Sequence, residues 1–462
     1  MQPVNLTLLL KSTELEYVSE GHALSSFSVQ SFSTDTRSLK KGDVFVALTG
    51  ERFDGHSFIK DALEGGAKAV LFNGRQLEKV HPFIKNNPAV LFLGVRDTRS
   101  IFGMIAERYL DMFSVTKVVV TGSAGKTTTK GLIASVLSQN FTVVSSIRSY
   151  NNEIGVPKTL LEVDGHTNFL VQELGTNHPG EITALVERVH PDAAVITNIG
   201  PAHIGHFGSE HEIAREKKEA VLALDESGTA FLNADDRYFH FLRDGLAAQV
   251  KSYGIEKGDV RPERINRISL DGSDFVLSGK KIQARVIGEH GIRNSLAAAA
   301  VGMQYGVAID EIKKGIEAYR DESGRGNVQF VGGITIIDES YNANPLSVLA
   351  SLSYLSRIKT EGRKVLVFAD MLELGDHSEF YHRKLAERIV KTDICVLYAY
   401  GPLARITGGE VQKRGERKVR YFCELEEMIR SLKDELSSGD IVLVQGSRKM
   451  GLERVVEGFL LN

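Results

Sequence analysis

The sequence predicts an α/β protein of three domains, and three observations carry that prediction. Short apolar runs alternate with amphipathic segments of helical length along the whole chain. Glycine is abundant, with 44 residues, and proline is scarce, with 10, as suits tight loops between strands and helices. A length of 462 residues corresponds to two to four domains at roughly 100–200 residues each. We expect domains at residues 1–109, 110–324 and 325–462.

Composition excludes several classes of protein. The formal net charge is −3 and the pI is near 6.5, so the chain lacks the bulk positive charge of a nucleic-acid binder. No apolar run reaches the roughly 18 residues that would span a bilayer, and no basic region precedes the first apolar patch as in a signal peptide. Cys395 and Cys423 are the only cysteines, too few for a disulfide framework. We therefore expect a cytoplasmic protein with no membrane span and no nucleic-acid partner.

Predicted strands and helices alternate in each of the three domains. In the first, Val44–Leu48 and Ala69–Phe72 are predicted strands on either side of an amphipathic helix. The middle domain opens with the predicted strand Lys117–Thr121, and its alternation predicts a parallel sheet with right-handed crossovers. The polar stretch 321–327 is a predicted linker, and a third, Rossmann-like unit begins at 334–340.

The strongest chemical signal is a glycine-containing loop between a predicted strand and a predicted helix. Glycines let backbone N–H groups close around phosphate oxygens, and the helix N-terminus adds partial positive charge. Lys126 would reach the β- and γ-phosphates, and the Thr127 hydroxyl would bind Mg²⁺. Only Ser123 and Ala124 separate the two glycines, where the usual pattern has four residues. The alternative is an ordinary strand-to-helix turn. The predicted phosphate-binding residues are Gly122, Ser123, Ala124, Gly125, Lys126, Thr127 and Thr128.

Further polar residues follow the next predicted strands. Glu173 ends one strand, at the sheet edge where parallel sheets bind ligands, and a carboxylate there suits Mg²⁺. His203 and His206 follow another strand, but without further ligands nearby they do not predict zinc. Lys217 and Lys218 are neighbours on a predicted helix. They point about 100° apart, so only one can face a site.

Motifs along nearly the whole chain resemble the Mur ligases, and within that family the branch that adds D-alanyl-D-alanine. The matching segments are DTR (35–37), GDVFVALTGERFDGHSFI (42–59), TGSAGKTTTK, SYNNEIGVPKTLL, ELGTNHPGEI, NIGPAHIGHFGS, IAREKKEA, NADD, IDESYNANPLS, ADMLELGDHS and QGSRKMGLERVV. Residues that depart from the usual family pattern are Ser123, Ala124, Gly205, His206, Gly291, Glu339 and Gln445.

The resemblance implies a ligase of peptidoglycan precursor synthesis, with roles in cell shape and division. Its expected substrates are ATP, UDP-N-acetylmuramoyl-tripeptide and D-alanyl-D-alanine, and the expected enzyme is a monomer. The tripeptide carboxylate would attack the γ-phosphate, and the dipeptide amine would then attack the acyl phosphate. The third tripeptide residue, meso-diaminopimelate or lysine, stays open. Two alternatives remain: another amide ligase resembling folylpolyglutamate synthase, and a phosphate-loop switch without ligase activity.

The resemblance also implies a catalytic group of Lys126, Glu173, His203 and Lys217. Thr127 and Glu173 would hold one Mg²⁺, and His203 and Lys217 would hold a second, with Glu173 shared. An ammonium cannot bind a cation, so Lys217 is expected to be carbamylated by CO₂.

Nucleotide and substrate contacts are implied in the same way. Asn294 would bind adenine, Arg325 would reach phosphate or ribose, and Asp338 or Glu339 would approach ribose. Residues expected to bind the other substrates are Asp35, Thr36 and Arg37 for the UDP-sugar, Asn151 and Asn152, and Asn342, Asn344 and Leu372–Gly375 for the peptide ends. From the residues alone, Asn151 and Asn152 are equally suited to a helix cap, and Asn344-Pro345 to a cap with a first-turn proline.

Overall fold

The computed structural model describes residues 1–50, 53–415 and 417–460. These residues form two compact units. The first contains Met1–Lys117, Thr142–Leu174 and Ala184–His190, and the second contains Val118–Phe141, Gly175–Thr183 and the residues from Pro191 onward. Both units combine helices with sheets that are mainly parallel, so the predicted α/β class is confirmed.

The elements alternate as expected. The described strands are β1 (Val4–Asn5), β2 (Tyr17–Val18), β3 (Ser28–Val29), β4 (Phe32–Ser33), β5 (Val44–Val46), β6 (Ala69–Asn73), β7 (Leu91–Val95), β8 (Thr116–Thr121), β9 (Val143–Ser145), β10 (Phe169–Glu173), β11 (Ala193–Ile196), β12 (Thr229–Asn233), β13 (Gln249–Tyr253), β14 (Arg264–Ser269), β15 (Gly272–Leu277), β16 (Lys280–Ala284), β17 (Asn327–Val331), β18 (Ile334–Glu339), β19 (Lys364–Ala369), β20 (Ile394–Tyr400), β21 (Lys418–Phe422) and β22 (Ile441–Gln445). The described α-helices are α1 (Leu6–Leu9), α2 (Ile59–Glu64), α3 (Leu77–Asn86), α4 (Thr98–Leu110), α5 (Lys126–Leu137), α6 (Gly155–Leu160), α7 (Glu181–Val189), α8 (Ile204–Phe207), α9 (Glu210–Leu222), α10 (Phe239–Arg243), α11 (Gly288–Gln304), α12 (Ile309–Ala318), α13 (Pro345–Arg357), α14 (Ser378–Ile389), α15 (Pro402–Arg414), α16 (Leu425–Glu435) and α17 (Glu453–Leu460).

The first unit contains a five-stranded sheet in the order β2-β7-β6-β5-β4. Its strands β4 to β7 are parallel, and β2 pairs antiparallel at the edge. Large aromatic side chains fill the core on one side, among them Phe45, Phe72 and Phe92. In the same unit β9 and β10 form a parallel pair, which places Glu173 at a carboxyl end.

The second unit contains two parallel arrays. Strands β13, β12, β11 and β8 lie side by side and all run parallel, as predicted for the middle domain. The C-terminal sheet has the order β17-β18-β22-β19-β20-β21, parallel except for β17 at the edge. Because parallel strands end on one side, the loops that follow them are gathered at one edge of each sheet.

Two features differ from the sequence expectation. Residues 264–284 form a three-stranded antiparallel sheet, β14-β15-β16, whose mixed polar pattern does not reveal its buried middle strand. The predicted linker 321–327 overlaps a strand at its last residue, because β17 begins at Asn327. The domain bounds stay a prediction. Among the described helices, none combines the length and the apolar character needed to cross a membrane.

Candidate active site

The predicted phosphate loop lies between β8 and α5, in the second unit. Gly125 precedes α5 with a left-handed backbone, φ 78°. A Cβ on Gly125 would lie 2.9 Å from Asn294 Oδ1, so glycine is required there both by conformation and by space. At the N-terminus of α5, the N-cap residue Gly125 has no side chain that could cap the helix. Its first-turn N–H groups are therefore suited to bind an anion.

Ser123 and Ala124, which separate the two glycines of the phosphate loop, are held by the segment that follows β11. Asn198 Oδ1 accepts the Ala124 N–H at 2.9 Å, and Asn198 Nδ2 donates to the Ala124 carbonyl at 3.0 Å. The Ser123 hydroxyl donates to the Gly200 carbonyl at 2.9 Å and accepts the Gly200 N–H at the same distance. These bonds hold the loop in one shape, and they give Asn198 a role that its sequence position did not reveal.

The polar residues of the loop have defined positions. Lys126 Nζ donates to the Gly122 carbonyl at 2.9 Å, so its ammonium folds back over the loop. Thr127 is buried. The Thr128 hydroxyl donates to Asp321 Oδ1 at 3.0 Å, a carboxylate that the sequence analysis did not single out. Burial raises the pKa of Asp321 to about 6.

Lys217 and Lys218 point into different surroundings, as their helical spacing predicted. Lys217 is only 2% exposed, and burial, with a smaller contribution from the ammonium of Lys126, lowers its pKa to about 7. The carboxylate of Glu216 acts in the opposite direction. Lys218 Nζ lies over the Phe241 ring, 4.7 Å from its centroid. Lys217 is thus the lysine that can be a neutral amine near neutral pH.

His203 is paired with a residue from a different loop. Its Nδ1 lies 2.6 Å from Oε2 of Glu373, which follows β19. The His203 imidazole is the largest influence that lowers the pKa of the Glu373 carboxyl. Both residues have left-handed backbones, with φ of 58° and 65°, a conformation that non-glycine residues seldom adopt. Leu372–Gly375 had been expected only to bind a peptide substrate.

Acidic residues and one arginine meet where β18 ends. Asp338 is buried, and its Oδ1 accepts both the Ser340 hydroxyl, at 2.6 Å, and the Ser340 N–H, at 3.1 Å. Burial raises the pKa of Glu339 to about 8, helped by Asp321 and Asp338 and opposed by Arg325. The Arg325 guanidinium stacks on Tyr341, 3.9 Å from the ring centroid.

The raised pKa of Glu339 leads to a stability prediction. The folded chain binds this proton up to a pH of about 8, whereas an unfolded glutamate loses it near 4.5, so rising pH lowers the free energy of unfolding across that interval. Glu339→Gln has no proton to lose, so its free energy of unfolding should not fall in this way. Relative to the parent, we expect the free energy of unfolding of the variant to rise by about 1–3 kcal/mol between pH 5 and pH 8.5, measured by urea unfolding at both pH values. Glu379→Gln, on the surface of α14, is the control, and an equal effect of Glu339→Gln at both pH values would contradict the prediction.

The helix-cap interpretation of Asn344 is correct, but it is not the whole role. Asn344 and Ser347 form a reciprocal capping box at the start of α13, with Pro345 in the first turn. The Asn344 Nδ2 also donates to the Ser123 carbonyl at 3.2 Å. Asn344 therefore both caps the start of α13 and contacts the phosphate loop. Asn342 is exposed, and its Oδ1 accepts the neighbouring Ala343 N–H at 2.9 Å.

The expected UDP-sugar residues lie in the first unit. Arg37 is 88% exposed on its side chain and forms an ion pair of 2.6 Å with Asp35, which lowers the pKa of Asp35 to about 2. Thr36 lies between them and is half-buried. Lys158, on α6, is a cation that the sequence analysis missed. Burial lowers its pKa, the charge of Asp35 opposes this, and its Nζ lies 5.6 Å from the centroid of the Tyr150 ring.

The two adjacent asparagines of the first unit have different roles. Asn152 Oδ1 accepts the N–H groups of Ile154 and Gly155 at 3.2 and 2.9 Å, so it binds the backbone where the chain enters α6. Asn151 Nδ2 instead donates to Glu173 Oε1 at 2.8 Å. Glu173 is buried at the carboxyl end of β10. Asn151 therefore helps to orient the carboxylate that is expected to bind metal.

The available donors fit Mg²⁺. Within residues 1–50, 53–415 and 417–460 no three His, Cys, Asp or Glu side chains gather into a metal cluster. Mg²⁺ does not need one, because it keeps several waters and is held by one or two protein carboxylates and by substrate phosphates. The Thr127 hydroxyl and the Glu173 carboxylate are oxygen donors of this kind. Lys217 would supply oxygen only as a carbamate, for which its lowered pKa is favourable.

Three family models match the chain. "Mur ligase family, catalytic domain" matches residues 28–109, "Mur ligase middle domain" matches 120–302, and "Mur ligase, glutamate ligase domain" matches 324–448. The UDP-N-acetylmuramoyl-tripeptide–D-alanyl-D-alanine ligase of Bacillus subtilis is 34% identical over 437 residues, 94% of this chain and 93% of that protein.

Solved structures agree with these matches. A crystal structure of MurF from Acinetobacter baumannii has a TM-score of 0.88 at 28% identity and covers 100% of both chains. MurF ligase from Thermotoga maritima in complex with ADP has a TM-score of 0.80 at 28% identity, over 93% of this chain and 97% of that one. With three family models over most of its length and a relative matched almost from end to end, this chain belongs to the Mur ligase family.

Proposed function

We propose that this enzyme joins D-alanyl-D-alanine to the terminal carboxylate of UDP-N-acetylmuramoyl-tripeptide with hydrolysis of ATP, in cytoplasmic peptidoglycan precursor synthesis. The observation that carries the proposal is a phosphate loop with buried Lys217 beside Lys126, in a chain that matches 94% of its length to a ligase of this name. The two exposed, free thiols, Cys395 and Cys423, support a reducing compartment.

ATP binds at the phosphate loop in this proposal. The N–H groups of the loop and of the first turn of α5 bind the phosphates. Asn294 lies against Gly125 and binds adenine, while Arg325 reaches phosphate or ribose, and Asp338 or Glu339 reaches ribose. The ADP bound to the Thermotoga maritima relative supports the binding of an adenine nucleotide.

The reaction has two steps. A tripeptide carboxylate oxygen attacks the γ-phosphorus, the bond to the β-phosphate oxygen breaks, and ADP leaves. The dipeptide nitrogen then attacks the carbonyl carbon of the acyl phosphate, loses a proton, and inorganic phosphate leaves. Phosphoryl transfer requires positioning and charge stabilisation more than covalent help. The Lys126 ammonium stabilises negative charge on the phosphoryl oxygens.

Thr127 and Glu173 are proposed to hold one Mg²⁺, and His203 and carbamylated Lys217 to hold a second. When bound, these ions supply neutralising charge to the phosphates. Asn151 keeps the Glu173 carboxylate oriented through its 2.8 Å hydrogen bond.

The UDP-sugar-tripeptide is proposed to bind along the first unit. Arg37 and Lys158 supply two cations beside Asp35, as required to bind a diphosphate. Asn151 and Glu173 belong to the same compact unit. Residues of one unit can therefore bind both the nucleotide end and the reacting carboxylate of one substrate. Asn342, Asn344 and Leu372–Gly375 are proposed to contact the peptide ends.

Phosphate release tests the proposal. Enzyme and ATP are assayed with UDP-N-acetylmuramoyl-tripeptide, with D-alanyl-D-alanine, and with both, using tripeptides that end in meso-diaminopimelate or lysine. We expect steady release, with formation of the amide product, only when both are present. Release with a folate and glutamate instead would favour the other ligase class. Nucleotide binding without product under every condition would favour a switch.

A further inference from the structure

We infer that Glu373 is a positioning residue, which orients the imidazole of His203 toward its proposed metal when the loop after β19 docks against the loop after β11. The inference rests on the metal role proposed above for His203. It adds a function to Glu373 and couples metal binding to the docking of the C-terminal sheet on the phosphate-loop region.

Two contacts join the loops at this point. His203 Nδ1 lies 2.6 Å from Glu373 Oε2, and the Gly205 N–H donates to the Glu373 carbonyl at 3.1 Å. Both the side chain and the backbone of Glu373 therefore contact the loop that carries His203. The left-handed backbones of both residues show that the surrounding packing holds this arrangement.

The backbones approach as closely as glycine permits. A Cβ on Gly205 would lie 2.5 Å from the Gly375 nitrogen, and a Cβ on Gly375 would lie 2.7 Å from the Gly205 Cα. Real Cβ atoms do not tolerate such distances. Any larger residue at 205 would separate the loops and with them the His203–Glu373 pair.

The loop that carries Glu373 is anchored on its own side. The His382 Nε2 accepts the Met371 N–H at 3.1 Å, while its Nδ1 faces the Ser378 carbonyl at 2.7 Å. The Ser447 hydroxyl accepts the Leu372 N–H at 2.8 Å. Glu373 is thus held on the C-terminal sheet, and its contact with His203 joins that sheet to the loop after β11.

The tautomer of the His203 imidazole determines which of its nitrogens can bind a cation. A neutral imidazole carries one N–H and one nitrogen with a lone pair. With a Glu373 carboxylate oxygen 2.6 Å from Nδ1, the tautomer with the proton on Nδ1 is favoured, because the other tautomer would place the Nδ1 lone pair against that oxygen. Nε2 then carries the lone pair that a cation needs. Carboxylate partners of metal-bound histidines fix the tautomer and ring orientation, and their loss typically weakens metal binding 10–100-fold. We therefore expect metal affinity to be highest when the two loops are docked.

The main readouts of the test are metal binding and the His203 tautomer, and the steady-state kinetics of the variants are measured beside them. Mn²⁺ is titrated by electron paramagnetic resonance into the full-length enzyme with a non-hydrolysable ATP analogue, without tripeptide or dipeptide. The tautomer is read from ¹⁵N shifts of labelled histidine, and His203→Gln assigns the signal. The variants are Glu373→Ala, Glu373→Gln, whose amide oxygen can still accept the N–H, and Gly205→Ala. Glu379→Ala removes a nearby surface carboxylate as a control.

In the parent we expect the Nδ1–H tautomer. Glu373→Ala and Gly205→Ala should mix the tautomers and weaken Mn²⁺ binding about 10–100-fold, while Glu373→Gln recovers most of the affinity and the control is unchanged. The inference is overturned if a folded Glu373→Ala keeps parental Mn²⁺ affinity and tautomer. It is also overturned if Glu373→Ala raises only the KM for D-alanyl-D-alanine, because Glu373 would then bind the dipeptide. Failure of the ligase proposal would appear separately, as a parent enzyme without amide product.

Discussion

Replacing Lys126 with alanine is expected to reduce kcat by a factor of about 10³ or more, while the enzyme stays folded. The lysine projects from the first turn of α5, and its Nζ already lies over the phosphate loop, 2.9 Å from the Gly122 carbonyl. Charge develops on the phosphoryl oxygens in the transition state, and removal of a preorganised donor typically costs 10²–10³ in kcat. The loss of a full positive charge is expected to lie at or beyond the upper end of this range.

Steady-state ligation with both peptide substrates measures this effect, and thermal unfolding with circular dichroism confirms the fold. Lys314→Ala serves as the matched control, because Lys314 is an exposed lysine on α12 whose partner is Glu311. Near-normal ligation by folded Lys126→Ala would show that the loop does not perform phosphoryl transfer.

Lys217→Ala is expected to lose most ligase activity, and a small carboxylate such as formate or acetate is expected to restore part of it. An ammonium near Mg²⁺ would be repelled by roughly 4 kcal/mol per unit charge at 4 Å and an effective dielectric of 20. A carbamate reverses the sign and supplies oxygen ligands. Carbamate forms from the neutral amine, and the pKa of Lys217, lowered to about 7 by burial, keeps that form available. Below pH 7 protonation removes it, so carbamylation should decline there.

Incorporation of ¹³C-labelled CO₂, followed by ¹³C NMR, gives a readout that does not depend on activity. We expect a carbamate resonance in the parent and in Lys218→Ala, and none in Lys217→Ala. Lys218 is the matched control because it is the adjacent lysine, with its Nζ over the Phe241 ring, and its alanine variant should keep nearly full activity. Normal ligation by Lys217→Ala in CO₂-depleted buffer would exclude a carbamate role at this position.

Local patterns were sufficient to predict much of the fold and part of the site. The strand, loop and helix around Gly122–Thr128 are contiguous, so spacing alone indicated them, and the helical angle between Lys217 and Lys218 indicated that only one faces inward. The antiparallel sheet β14-β15-β16 was missed because the side chains of Arg264–Ser269 are mostly polar and none of them is buried. The role of Asn344 was ambiguous from the sequence, because the same side-chain amide can cap a helix or contact a distant loop.

The sequence by itself determined the α/β class, the phosphate loop and the family, because these depend on periodicity and on contiguous motifs. Only the tertiary structure decided that Glu373 is the partner of His203, that Asp321 accepts the Thr128 hydroxyl, and that Lys158 is a cation beside Asp35. Each of these pairs joins segments far apart in the chain, so no local pattern encodes it. The pKa of Lys217 depends in the same way on burial by distant residues and on the charge of Lys126, since desolvation and Coulomb interactions act through space and not along the sequence.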